Sequence, residues 1–423
     1  RANIFDRLVA NKGKLWLNVC GGLSEAKVWA NKGHRLVIEQ FRLGFNYSHE
    51  TVLPLVSPKQ QPKTEGSIKV NDSDSKVTVS LANGGCIVVD KGTGTIISYR
   101  TPKGFEVFDT AGSKCFEPNY TRAATDNDRG GAELLIDFIL PQWVSSVLAF
   151  IVGTKLFSYS YNWKRFGLDA DSPPKVRCIE TSISRDDSSN FVEINARCSI
   201  SATPSSLRSR ELFQQDIKYR ILDDGQIKIT CKVIPSPHLK KAPSLPRVGM
   251  SLQLDKAFSN ILYCGRGPFE NYPDRKIGSK MGVWSSDVEK LGYDYIVPGE
   301  NGNRTDCDWV LFRDDSGNGV CLKHTDPNDD ASHELAGFNF SAKLQSQLEQ
   351  HHAKHTSDLP LRSKGQDPVY VNLDHKIMGV AGDASWFPCV YPDYILKPDQ
   401  DFEYSFVIKP MSGEDELVDL VAP

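Results

Sequence analysis

Apolar and polar residues alternate with period two along much of this chain. The pattern is clearest where Ile217, Tyr219 and Ile221 lead into Asp223-Asp224-Gly225 and Ile227, Ile229, Cys231 and Val233 lead out. Successive side chains of a strand point to opposite faces, so this spacing across an Asp-Gly turn predicts a β-hairpin with one buried face. The same arrangement recurs at 86–99 around Lys91-Gly92-Thr93-Gly94 and at 309–322 around 314–319. Single strands are predicted at 191–200, 250–254 and 402–408. From Ser67 onward the chain therefore reads as all-β, a large antiparallel sandwich. One short helix is predicted at 344–352, where Leu344 and Leu348 share a face.

Before that, residues 14–45 read as three short strands, 15–19, 25–30 and 36–43, which are too few to close a sandwich of their own. Something upstream is expected to complete it. Pro54, Pro58 and Pro62, among Ser, Lys and Gln, then make an extended linker. The stretch 134–157 breaks the pattern with a long apolar-leaning run. Asp137, Pro141, Gln142, Ser145, Ser146 and Lys155 argue against a membrane span, leaving a covering loop, a helix or a gene-model insertion.

Composition narrows the picture. A net charge of -3 over 423 residues offers no basic field for nucleic acid, so no nucleic-acid partner and no membrane are expected. Ten cysteines are spread evenly with no CxxC pair, which suits reduced thiols in strands and argues against a zinc site. The chain starts at Arg1 rather than Met, and Arg1 to Leu8 lack a signal-peptide core. The expectation is a cytoplasmic protein that is a piece of something longer. Asn-x-Ser/Thr triplets occur at Asn46, Asn71, Asn119, Asn303 and Asn339 and, without a signal, say little about secretion.

The densest polar stretch is Gly265-Arg266-Gly267-Pro268-Phe269-Glu270-Asn271-Tyr272-Pro273-Asp274-Arg275. Gly265 and Gly267 are expected to supply backbone angles closed to other residues, and Pro268 and Pro273 to fix φ. Glycoside hydrolysis would need two carboxyl groups about 5 Å apart for retention, or roughly 6.5 to 9.5 Å for inversion. Glu270 with Asp274, and Asp126 with Asp128, are the pairs to consider. The competing reading is that they bond loop backbone and Arg275, Arg122 or Arg129. Trp386, in Gly379-Val380-Ala381-Gly382-Asp383-Ala384-Ser385-Trp386, is the best sugar-contact candidate on chemistry, with a core role as the alternative. His351 and His355 could share a helix face as metal ligands, but no acid of HExxH type lies between them, and a solvated helix end is the simpler account. No GxSxG elbow exists.

These motifs carry a resemblance. Asn119 to Gly130 resembles the RAPxDND-x-G signature of the C-terminal, small-chain domain of glycoside hydrolase family 2 β-galactosidases. Gly265 to Arg275 resembles that family's GxGPxENYPDR, Tyr295 to Arg304 its YxxPxENGxR, and Gly379 to Trp386 its GxGGDDSW. More weakly, Leu15-Trp16-Leu17 with Trp29 to Phe41 is similar to the end of the immunoglobulin-like domain that precedes it.

The resemblance implies a partial immunoglobulin-like sandwich at 1–52, a linker at 53–66 and a galactose-mutarotase-like supersandwich at 67–413. It implies part of an enzyme that hydrolyses terminal β-D-galactosides. The catalytic glutamates, with Mg²⁺ and Na⁺, belong to an upstream barrel absent from these residues, so this chain has no catalytic residue, metal ligand or cofactor of its own. Trp386 is then the substrate contact, and Gly130 and Gly131 are hinges of a loop beside the sugar pocket. The implied partners are a β-galactoside and a barrel-bearing N-terminal region or large subunit, and a homo-oligomer is compatible with this. Ala381 and Ala384 depart from the family's Gly and Asp beside the Trp. Two alternatives from other classes are a stand-alone carbohydrate-binding module and, by fold analogy alone, a sugar epimerase with a His and a carboxylate in the sandwich groove.

Overall fold

The computed structural model describes residues 15–43, 68–109, 115–129, 141, 144, 158–185, 191–203, 210–325, 327, 337–382 and 390–413. These fall into two units, one holding the hairpin 15–43 and the other holding everything from 68 to 413. In the first, Leu15–Gly22 pairs antiparallel with Arg35–Leu43. The strand expected at 25–30 is absent. Only an isolated bridge joins Lys27 and Ala30, because the connection satisfies its backbone locally through Leu23 N–H to His34 O and Gly33 N–H to Leu23 O.

Period-two burial builds the second unit. A nine-stranded antiparallel sheet runs in the order Lys280–Asp287, Asn260–Gly267, Trp309–Arg313, Gly319–Thr325, Phe402–Met411, Ile227–Pro235, Glu211–Leu222, Phe191–Ser201 and Lys175–Arg185. The expected hairpin register is present, with Ile217 opposite Cys231, Tyr219 opposite Ile229 and Ile221 opposite Ile227, all buried. Each such aliphatic side chain removed from water contributes about 1.5–3 kcal/mol. The face they form meets a five-stranded sheet ordered Arg304–Cys307, Phe338–Lys343, Val369–Ile377, Arg247–Leu254 and Phe116–Asn119. Tyr120 stacks on Phe213 at 4.0 Å between ring centroids, and Phe116 meets Phe406 at 6.0 Å, so aromatic rings zip the two layers together. A four-stranded sheet from Lys69–Asp72 to Ile96–Arg100 packs on through Tyr219, whose hydroxyl donates to Gly94 O at 2.9 Å.

Two helices correct the expectation. The predicted helix at 344–352 starts only at Gln347, because Ser346 and Glu349 form a reciprocal cap. Leu344 is buried ahead of it and Leu348 faces solvent, so they share no helix face. The helix Tyr159–Phe166 was not anticipated, although Ser158 caps its start through Tyr161 N–H and Gly167, at φ 88°, ends it. Among the described residues no helix is long and apolar enough to cross a membrane. All nine described cysteines are free, and five of them are buried. Asn119, Asn303 and Asn339 are buried, which closes those three triplets to modification in the folded state.

Candidate functional site

The described parts of the four motif loops bond one another. Arg122, fully buried, is the first clamp. Its guanidinium forks onto Asp128, with Nε to Oδ2 at 3.0 Å and Nη2 to Oδ1 at 2.5 Å. It also donates to Met378 O at 2.7 Å and Gly379 O at 3.1 Å. Trp163 of the unanticipated helix lies under it, 5.0 Å from guanidinium carbon to ring centroid, and is itself fixed by a bond from Nε1 to Ser244 Oγ. Asp128 is held in turn by Thr125 N–H at 2.9 Å. Beside this clamp Asn127 donates to Val380 O at 2.6 Å, so the first motif grips three successive carbonyls, 378 to 380.

The second and third motifs brace the same segment from the other side. Asp274 accepts from Ala381 N–H at 2.8 Å. Asn271, with no solvent exposure, donates to Arg266 O and Phe269 O and accepts from Thr305 N–H and Oγ1. Glu270 pairs with Arg275 at 2.6 Å and accepts from Gly302 N–H at 2.8 Å and from the Tyr295 hydroxyl. The carboxylates considered for hydrolysis are thus engaged in shaping loops: Asp128, Glu270 and Asp274 each bind backbone, and Asp126 faces solvent. The role expected of Gly265 and Gly267 also changes. Both lie in the last three residues of strand Asn260–Gly267, neither at positive φ, and what excludes a side chain is space. A Cβ on Gly265 would sit 3.0 Å from Cys307 Cα, and one on Gly267 would sit 2.8 Å from the Trp284 ring.

Beneath the loops lies an ionic triad that sequence reasoning missed. Arg247 bonds Asp374 at 3.1 Å and also Glu300, and all three are buried. Burial pushes both acids up, but Arg247, Lys343 and Arg122 outweigh it at Glu300 and hold that carboxyl below its ordinary value. At Asp374 burial wins: its pKa is raised to about 7, with Arg247 opposing the shift and the Glu300 charge adding to it. Glu300 is therefore the ionised partner of Arg247, and Asp374 holds a proton up to near neutrality. The available signals were a lone Arg leading the apolar strand Arg247–Leu254 and an Asp on the buried side of Val369–Ile377.

Trp386, Gly130 and Gly131 lie outside the described residues. What is described is the entry to the loop bearing Trp386, through Gly382. Ala381 is not among the residues with positive φ, so its backbone does not need the family's glycine. The histidines find acids from elsewhere in the chain. Nε2 of His352 lies 2.7 Å, and Nε2 of His351 3.5 Å, from Asp171 Oδ1. Asp169, Asp171 and His351 bring their ligand atoms within 4.8 Å of one another, whereas His355 caps the short turn that follows. His375, the strand histidine beside the triad, stacks on Tyr404 at 5.2 Å, and burial lowers its pKa to about 4.

The described residues define an antiparallel β-sandwich whose motif loops are cross-braced around the backbone of 378–381. Residues 82–408 match the family described as the β-galactosidase small chain, and the chain belongs to that family. It is 27% identical over 390 residues to a β-galactosidase of Priestia megaterium, covering 92% of this chain and 31% of that protein. A Vibrio cholerae β-galactosidase is 28% identical over 392 residues, with 92% of this chain and 32% of that protein covered. The chain thus spans about a third of the length of these relatives. Among solved structures, galactose 1-epimerase from Lactobacillus acidophilus is similar at a TM-score of 0.43 and 8% identity, over 82% of this chain and 100% of that one.

Proposed function

We propose that this chain is the C-terminal, non-catalytic part of a β-galactosidase, or its small subunit, and that it closes the sugar site with Trp386. The assembled enzyme cleaves terminal non-reducing β-D-galactosides with retention. A carboxylate of the barrel region attacks the anomeric carbon and a second protonates the leaving oxygen, while Trp386 packs against the sugar or aglycone. Gly130 and Gly131 let the neighbouring loop move beside that site. The hairpin 15–43 is the end of an immunoglobulin-like sandwich whose other strands lie upstream.

One observation carries the reading: Arg122, Asn127 and Asp274, from two separate motif loops, fix the backbone of 378–381 on the approach to Trp386. That cross-bracing suits a side chain that must hold one position in a site completed by another part of the protein. Of the motif-loop acids, Asp128 is taken by Arg122 and Glu300 by Arg247, so neither is free to hold the Mg²⁺ or Na⁺ that the resemblance implies for the barrel. Trp386→Ala in the assembled enzyme is expected to raise KM for a β-galactoside by about tenfold, the loss of roughly 1.4 kcal/mol of binding. Unchanged kinetics would remove Trp386 from the site.

A further inference from the structure

The third motif has a second side. Tyr293, Tyr295, Asn301, Lys343, Gln350 and Glu289 are among the residues lining a pocket of about 230 Å³, between the end of strand Phe338–Lys343 and the Tyr295–Arg304 loop. Its wall is an aromatic corner. The rings of Tyr293 and Tyr295 meet at 4.8 Å and 54°, and Tyr293 remains 63% exposed. The corner is held in place. Tyr293 N–H donates to Asn301 Oδ1, whose amide is fixed on Gly299 O, and Thr356 Oγ1 donates to Tyr295 O at 2.5 Å.

The pocket also presents an ammonium with donors to spare. Lys343 Nζ bonds Gln350 Oε1 at 2.8 Å, and Gln350, 4% exposed, is anchored through its own amide to Gln345 O. Among the described residues Lys343 makes no ion pair, so two of its three N–H groups are left for an occupant. Burial lowers its pKa to about 8. Glu289 and Asp294 also line the pocket; both are exposed, and Glu289 accepts from Lys364 N–H through Oε1 at 3.1 Å. Arg362 brings no free charge, being paired with Glu349 and with Asp367 at 2.9 Å.

A ring face, a cationic donor and carboxylate acceptors within one small polar cavity select a compact ligand with several hydroxyls and an apolar C–H face. Two carboxylates at the pocket disfavour an anion, and a lysine disfavours a cation. We propose that this pocket binds a neutral pyranose, a single uncharged sugar ring laid against Tyr293 and Tyr295 with a hydroxyl on Lys343. The site is built wholly from this chain and needs no barrel.

The test is isothermal titration of the full 423-residue chain, alone, with methyl β-D-galactopyranoside, methyl β-D-glucopyranoside and glucuronate. The expected result is saturable binding of at least one neutral glycoside, with glucuronate weaker by about tenfold or more. Tyr293→Ala and Lys343→Gln should each weaken that binding by about tenfold. Tyr293 is exposed, so its variant keeps the test meaningful even if Lys343→Gln fails to fold. No binding of either neutral glycoside, preference for glucuronate, or undiminished binding by Tyr293→Ala would each overturn the proposal.

Discussion

Arg247 between Glu300 and Asp374 shows how one buried cation can make two acids unequal. Glu300 carries the charge that Arg247 needs, so Glu300→Gln leaves a buried guanidinium underpaired and should cost about 3–5 kcal/mol. Asp374, its pKa raised to about 7, is mostly protonated below neutrality, so Asp374→Asn should cost far less there. The pH dependence follows. A carboxyl with a raised folded pKa binds its proton more tightly in the native state than in the unfolded chain, so stability falls as pH rises from the ordinary Asp value of 3.8 through about 7. Urea unfolding of the chain at about pH 5 and pH 8 should show that fall, of order a few kcal/mol, and Asp374→Asn should flatten it. Glu300 acts in the opposite sense and in a separate window: its lowered pKa gives stability that is lost only as pH drops below the ordinary glutamate value of 4.5. A larger loss in Asp374→Asn than in Glu300→Gln at pH 5 would reverse the assignment of the charge.

The loop entry at 378–381 is the element on which the motif loops converge, and Gly379 is its tightest point. A Cβ there would overlap the Asp274 carboxylate and come within 2.9 Å of Val390 Cγ1. Asp274 can turn away only by releasing Ala381 N–H, which loosens the approach to Trp386. Gly379→Ala should therefore destabilise the chain by about 1–3 kcal/mol and raise KM in the assembled enzyme, and a melting curve with steady-state kinetics would check both. An unchanged melting curve would show that the overlap relaxes freely. Elements built on local chemistry were legible in advance: the hairpin 217–233 announced its register through alternation and an Asp-Gly turn. Where a segment's fate depended on distant partners, local pattern misled. Residues 25–30 have strand-like composition but satisfy their backbone within a turn, and Gly265 and Gly267 serve close packing against Cys307 and Trp284 rather than unusual φ.

The described residues form a mostly β fold, and the chain spans about a third of the length of the β-galactosidases it matches. Its family was readable because four motifs occur in order, and the structure gives those motifs a physical reason to occur together, since each loop bonds another across the sequence. The triad and the Trp163 platform were not readable, because burial of Arg122, Arg247 and Asp374 depends on contacts that span more than a hundred residues. The direct test of the central claim is complementation. Hydrolysis of a chromogenic β-galactoside is measured with the purified chain alone, with a barrel-bearing N-terminal piece from the same source alone, and with the two mixed. The account predicts no turnover from the chain and activity that rises saturably when it is added to the barrel piece. Turnover by the chain alone would contradict it and would return Glu270, Asp274, Asp126 and Asp128 to consideration as catalytic groups.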